Sequence, residues 1–143
     1  MKFVLLLSLL LSLFSFSTIA SENTGIEIKN ATIKLPPPGS VTTAMFGELV
    51  NHSSKDVHLL DVLGKFAKTF ELHTMDMSNG RMSMRKVENI LVKKLSTTVL
   101  SHGGLHVMIF NLNKALIENE QIEVSFVFEN NVTIKTKATV KKD

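Results

Sequence analysis

The stretch Gln121-Ile122-Glu123-Val124-Ser125-Phe126-Val127-Phe128-Glu129-Asn130-Asn131-Val132-Thr133-Ile134-Lys135-Thr136-Lys137-Ala138-Thr139-Val140 decides the fold. Ile122, Val124, Phe126 and Phe128 alternate with more polar neighbours. Asn130-Asn131 breaks the pattern, and Val132, Ile134, Thr136, Ala138 and Val140 then alternate again. A period of two marks a strand with one buried face, and asparagine tolerates the backbone of a tight turn, so the stretch reads as a β-hairpin turning at Asn130-Asn131.

The same alternation runs through the rest of the chain. Gly25 to Lys34 places Ile26 and Ile28 on one face, and Leu35-Pro36-Pro37-Pro38-Gly39 is a break that no central strand accommodates. Further strands are expected at Val41 to Asn51, Val57 to Val62, Phe70 to Met77, Met82 to Val87, Thr97 to Leu100 and His106 to Leu112. Strands at this density with short turns predict an all-β sandwich or barrel.

Upstream, Lys2 is followed by an apolar run from Phe3 to Phe16 and by Thr18-Ile19-Ala20. A basic start, an apolar centre and a small-residue site form a secretory signal peptide, with cleavage expected after Ala20. The run is short of the roughly 20 residues of a spanning helix, so no stable membrane insertion is expected once the signal is removed; retention as an uncleaved membrane anchor is the alternative. Residues 21–143 then form a single domain, large enough for a hydrophobic core. The chain contains no cysteine, so it offers no acceptor for a lipid at the cleavage site and no disulfide framework.

The net charge is +3 at pH 7, with the charges mixed along the chain apart from Lys135, Lys137, Lys141 and Lys142. No basic block is interleaved with aromatics, so nucleic acid is not an expected partner. There is no nucleophile motif, phosphate loop or HExxH sequence, and an enzyme is not expected. Asn30, Asn51 and Asn131 each begin an N-x-S/T sequon, which matters only in a glycosylating host.

The chemistry lies in a set of histidines and methionines. His73 is followed at intervals by Met84 and by the pair His106-Val107-Met108, in the pattern H-x10-M-x21-H-x-M. Thioether sulfur is soft and uncharged and selects Cu(I), and imidazole also suits copper. Without a thiolate, the set cannot form the His₂Cys centre of a blue-copper electron carrier.

Asn79-Gly80 is a strong signal for a two-residue type I′ hairpin. That turn pairs Ser78 with Arg81, Met77 with Met82 and Met75 with Met84, and brings His73, Met75, Met77, Met82 and Met84 to one face. His73 becomes a diagonal neighbour of Met84. In His106 to Phe110, Val107 and Ile109 are expected to face the core, leaving His106 and Met108 on the opposite face. An alternative stays open at this level, because alternating methionines also serve as flexible core filling.

The spacing resembles that of the periplasmic copper chaperone family PCuAC. Phe70-Glu71-Leu72-His73-Thr74-Met75-Asp76-Met77 resembles that family's ELHxMxM segment. Asn79-Gly80-Arg81-Met82-Ser83-Met84-Arg85 resembles its GxMxMR segment, and Gly103-Gly104-Leu105-His106-Val107-Met108 its GGxHxM segment. The resemblance implies a cupredoxin-like Greek-key β-sandwich. It also implies one Cu(I) per monomer held by His73, Met84, His106 and Met108. From its place in the hairpin, Met75 is expected nearest that set as a reserve or transfer ligand, and Met77 and Met82 as an apolar lip or core.

The resemblance further implies delivery to a copper-accepting protein, such as a cytochrome c oxidase subunit or a Sco-type protein, in the periplasm. Copper storage or buffering is an alternative role, and a metal-free exported interaction module a further one. Two departures bear on loop shape: His102 stands where the family often has proline, and Lys93-Lys94-Leu95-Ser96 where it often has small residues. The chain also ends in Lys141-Lys142-Asp143 and not in a His/Met-rich extension. His52, His58 and His102 fall outside the motif, and His102 is expected to be exposed.

Overall fold

A computed structural model describes residues 24–142. The signal-peptide stretch 1–20 lies outside the described residues.

Ten strands follow in chain order: β1 Ile26–Lys34, β2 Thr42–Asn51, β3 Val57–Leu63, β4 Ala67–Ser78, β5 Arg81–Lys86, β6 Ile90–Val92, β7 Ser96–Leu100, β8 His106–Leu112, β9 Gln121–Phe128 and β10 Thr133–Lys141. They hydrogen-bond in the order β5-β4-β8-β2-β1-β10-β9-β3-β6, with β7 beside β2. Some consecutive strands are direct neighbours, whereas others change sides of the fold. β3 lies towards one end of this order, β4 towards the other, and β6 returns beside β3. The sheet folds over a core that includes Ile33, Met45, Leu59, Val62, Ile90, Val107, Ile109, Phe126 and Phe128. This is the expected all-β, cupredoxin-like sandwich.

The β9–β10 hairpin forms as the alternation requires. Ile122, Val124, Phe126 and Phe128 are buried, and Phe126 pairs with Ile134 and Ile122 with Ala138. Its turn is one residue longer than expected. A short 3₁₀ segment, Glu129–Asn131, closes between the Phe128 N–H and the Val132 carbonyl at 2.8 Å, with Asn130 and Asn131 both at positive φ.

Two further features were not read from the sequence. In β1 the buried set changes parity, from the half-buried Ile26 and Ile28 to the buried Ala31 and Ile33. A bulge does this: pairing with β2 slips between Lys29 and Thr32, and Asn30 there takes φ 51°. Gly47 on β2 faces the bulge, where an added Cβ would stand 3.1 Å from the Lys29 carbonyl oxygen. β2 can therefore pair with β8 through Thr42 to Met45 and with β7 through Gly47 to Asn51. The other is β6, whose three residues are too few to show a period. Asn51 is buried and bonds the Val92 carbonyl of β6 at 3.1 Å, so its sequon is a structural asparagine.

Candidate metal centre

The Asn79-Gly80 turn forms with both residues at positive φ, 52° and 74°. Its register is the expected one: Ser78 opposite Arg81, Met77 opposite Met82, Met75 opposite Met84, with His73 opposite Lys86. Met84 is thus the diagonal neighbour of His73. Pairing on the other side of β4 places His73 directly opposite His106 on β8, and Glu71 opposite Met108. The two imidazole centroids lie 5.8 Å apart. Separate strand signals did not show that β4 and β8 are neighbours.

Alternation then sorts the faces. Leu72, Val107 and Ile109 are fully or almost fully buried in the core. His73, His106 and Met108 point the other way, onto the outer face of the β5-β4-β8-β2 half. That face is nevertheless covered locally, and His73 and His106 are only 9% and 4% exposed. Phe110 packs against His73 with centroids 6.4 Å apart, and Phe46 of β2 against His106 at 6.5 Å. The methionines are not core filling: Met77, Met82 and Met84 are 70%, 58% and 47% exposed. For Met77 and Met82 this exposure leaves the core alternative aside.

A cavity of about 150 Å³ opens at this place, lined by Met75, Met84, His106, Met108, Phe46 and His102 among others. Three of the four predicted ligands therefore share one cavity, and His73 sits beside it against His106. Among the described residues, no three His, Asp or Glu side chains gather closely enough to hold an ion. The sulfur-bearing side chains that line the cavity are those of Met75, Met84 and Met108.

The 101–105 turn closes one side. The Ser101 N–H bonds the Leu105 carbonyl at 2.8 Å and Gly103 takes φ 84°. Met82 leans over it, its methyl 3.9 Å from where a Gly103 Cβ would stand. His102 is exposed, as expected, but it also lines the cavity and meets Phe46 edge-on at 6.2 Å.

Hydrogen bonds hold both imidazoles in place. His106 Nδ1 lies 2.8 Å from the Gly104 carbonyl oxygen. His73 Nε2 lies 2.9 Å from Glu71 Oε2, and Lys86 Nζ donates to Glu71 Oε1 at 3.1 Å. The hydrogen bond from His73, and then that from Lys86, hold the Glu71 carboxyl below the ordinary carboxylate range. His73 Nδ1 is buried with no hydrogen-bond partner. Glu71 and Phe46 are the residues that motif spacing missed. A carboxylate two positions before His73, and so on the same face of β4, was the available signal for Glu71.

Comparison with known proteins agrees with this architecture. A family model described as "Putative lipoprotein LpqE-like" matches residues 26–140. A protein of Leifsonia xyli subsp. xyli (strain CTCB07), named "Putative lipoprotein Lxx21020", is 27% identical over 128 residues, covering 89% of this chain and 76% of its own. None of the 143 residues here is cysteine, the residue on which a thioether-linked lipid is built.

Among solved structures, the Cu(I) form of DR1885 from Deinococcus radiodurans matches with TM-score 0.69 at 26% identity, covering 86% of this chain and 84% of that one. The copper-bound PCuAC domain from PmoF2 matches with TM-score 0.72 over 83% of this chain and 94% of its own. At 19% identity, that second likeness is one of fold. The chain belongs to the LpqE-like family, and its fold is that of the PCuAC domains.

Proposed function

We propose that this protein is an exported copper chaperone. It binds one Cu(I) through His73, Met84, His106 and Met108 and passes the ion to a copper-accepting protein. The observation that carries this reading is the cross-strand pair His73 and His106, set beside a shallow cavity lined by the sulfurs of Met75, Met84 and Met108. Two imidazoles and neutral thioethers suit Cu(I) and are poor hosts for calcium, magnesium or zinc. The 26% identity to DR1885, solved in its Cu(I) form, supports the same reading.

The arrangement also suits release. The imidazoles are buried and tethered, while Met84 is half exposed and its cross-strand partner Met75 lines the same cavity. An acceptor approaching from solvent meets sulfur first. Neutral sulfur ligands then leave one at a time, without the charge separation that loss of a thiolate would demand. The proposed role is carriage of the ion.

The relatives' lipoprotein names and the signal-like stretch ending at Ala20 support export to the periplasm. Among the described residues, no helix is long and apolar enough to cross a membrane. The acceptor in this reading is a copper centre of cytochrome c oxidase, directly or through a Sco-type protein. The test is to incubate Cu(I)-loaded protein with an apo oxidase copper domain and follow that domain's copper absorption. Metallation faster than from free Cu(I) chelate at equal copper activity is expected. No transfer, together with copper sensitivity and normal oxidase activity in a deletion strain, would replace delivery by storage.

A further inference from the structure

The two histidines are tethered through opposite ring nitrogens. In His106, Nδ1 faces the Gly104 carbonyl at 2.8 Å. A carbonyl only accepts, so Nδ1 carries the proton and Nε2 the lone pair. In His73 the tether is reversed. Nε2 faces Glu71 Oε2 at 2.9 Å, and Nδ1 is buried without a partner.

Glu71 is itself fixed from the other side by Lys86 Nζ at 3.1 Å. Lys86 is the direct cross-strand partner of His73, and Glu71 lies two residues before His73 on the same face of β4. The three side chains thus form a clamp across the β4–β5 hairpin.

A carboxylate is an acceptor, so its contact with Nε2 calls for a proton there. A neutral imidazole has one N–H, which leaves the lone pair on Nδ1. Metals bind imidazole only at a nitrogen without a proton. Carboxylates that accept from the far nitrogen of a metal-binding histidine set its tautomer and raise its basicity. Glu71 stands in that position, and the Lys86 charge balances it and holds it there. A carboxylate is a hard donor, poorly matched to Cu(I).

Resting on the Cu(I) reading of this site, we infer that Glu71 is a positioning residue that locks His73 as the Nε2–H tautomer, so that copper attaches to His73 through Nδ1 and to His106 through Nε2. The buried, unpartnered Nδ1 of His73 is then the place kept for the ion. The Glu71–Lys86 pair supports the site without touching the metal.

The test is a two-bond proton–nitrogen correlation spectrum of the ¹⁵N-labelled full chain, recorded with and without one equivalent of Cu(I) under anaerobic reducing conditions. Without copper, His73 should show a protonated Nε2 and a bare Nδ1. With Cu(I), the Nδ1 resonance of His73 and the Nε2 resonance of His106 should shift while the opposite nitrogens keep their protons. Glu71→Ala should mix the His73 tautomers and lower Cu(I) affinity by about 10- to 100-fold. Glu71→Gln, whose amide oxygen can still accept the N–H, should restore the tautomer and most of the affinity.

Copper on His73 Nε2, or a His73 tautomer unchanged in Glu71→Ala, would overturn the inference and leave the copper reading intact. No Cu(I)-dependent change in the unsubstituted protein would overturn the copper reading and this inference together.

Discussion

His73 on β4 and His106 on β8 are direct cross-strand partners, their rings 5.8 Å apart on the face opposite the core. The position is particular. β4 pairs with β8 only as far as His73, and from His73 onward it pairs with β5. The imidazole pair therefore stands where the β4–β8 pairing ends and the methionine hairpin projects past it, beside the 101–105 turn. The histidine nitrogens sit where β4 pairs with β8, and most of the motif's sulfurs sit on the projecting hairpin, an arrangement consistent with the proposed holding and release of an ion.

This division separates stability from binding. Ile109 is fully buried, one residue beyond Met108. Ile109→Ala should cost about 2–5 kcal/mol of folding stability. Met84→Ala, on an exposed edge strand, should change stability by no more than about 0.5 kcal/mol, yet lower Cu(I) affinity at least about tenfold, or 1.4 kcal/mol. Urea unfolding and Cu(I) competition titrations on both variants check this. Equal losses of stability would mean that Met84 is a packing residue.

The Asn79-Gly80 turn aligns Met75 with Met84 from a distance. Gly80 sits at φ 74° with open space where a side chain would go, so the obstacle to substitution is backbone conformation and not collision. Gly80→Val should cost about 1–2 kcal/mol and weaken Cu(I) binding through slipped or frayed pairing. A hairpin that keeps its cross-strand nuclear Overhauser contacts and full affinity in this variant would show that the turn does not set the site.

Acid should destabilise the fold through three carboxylates. Glu27 is held below the ordinary carboxylate range mainly by its hydrogen bond with His52, Glu71 by that with His73, and Glu120 by that with Lys114. A lowered value means that the folded state prefers the ionised form. The contribution is therefore complete above about pH 4.3 and is lost as pH falls through the lowered values. The urea midpoint should fall from pH 5 to pH 3, and less steeply in Glu120→Gln, at a residue that does not line the His/Met cavity. An unchanged slope in that variant would remove Glu120 from the account.

Much of this was legible in the residues. Period-two alternation from Ile122 to Val140 marked the sandwich, and Asn79-Gly80 predicted the register that aligns Met75 with Met84. The parity of Val107 and Ile109 predicted which way His106 and Met108 point. What escaped was set by contacts between distant segments. The bulge at Asn30 depends on the close approach of Gly47, and β6 is a strand only because Val57 to Leu59 pair with it. The neighbourhood of β4 and β8, which makes His73 and His106 a pair, is a matter of topology that separate strand signals do not contain. Glu71 was visible as a residue, but its role appears only once Lys86 is seen across the hairpin.

Cu(I) binding by the His/Met cavity is measured first by an anaerobic competition titration of the purified protein beside a His106→Ala/Met108→Ala double variant. Tight one-to-one binding is expected of the unsubstituted protein, with a loss of at least about 100-fold, near 2.7 kcal/mol, in a double variant that still folds. Equal binding by the two proteins, or no binding by either, would contradict Cu(I) binding at that cavity.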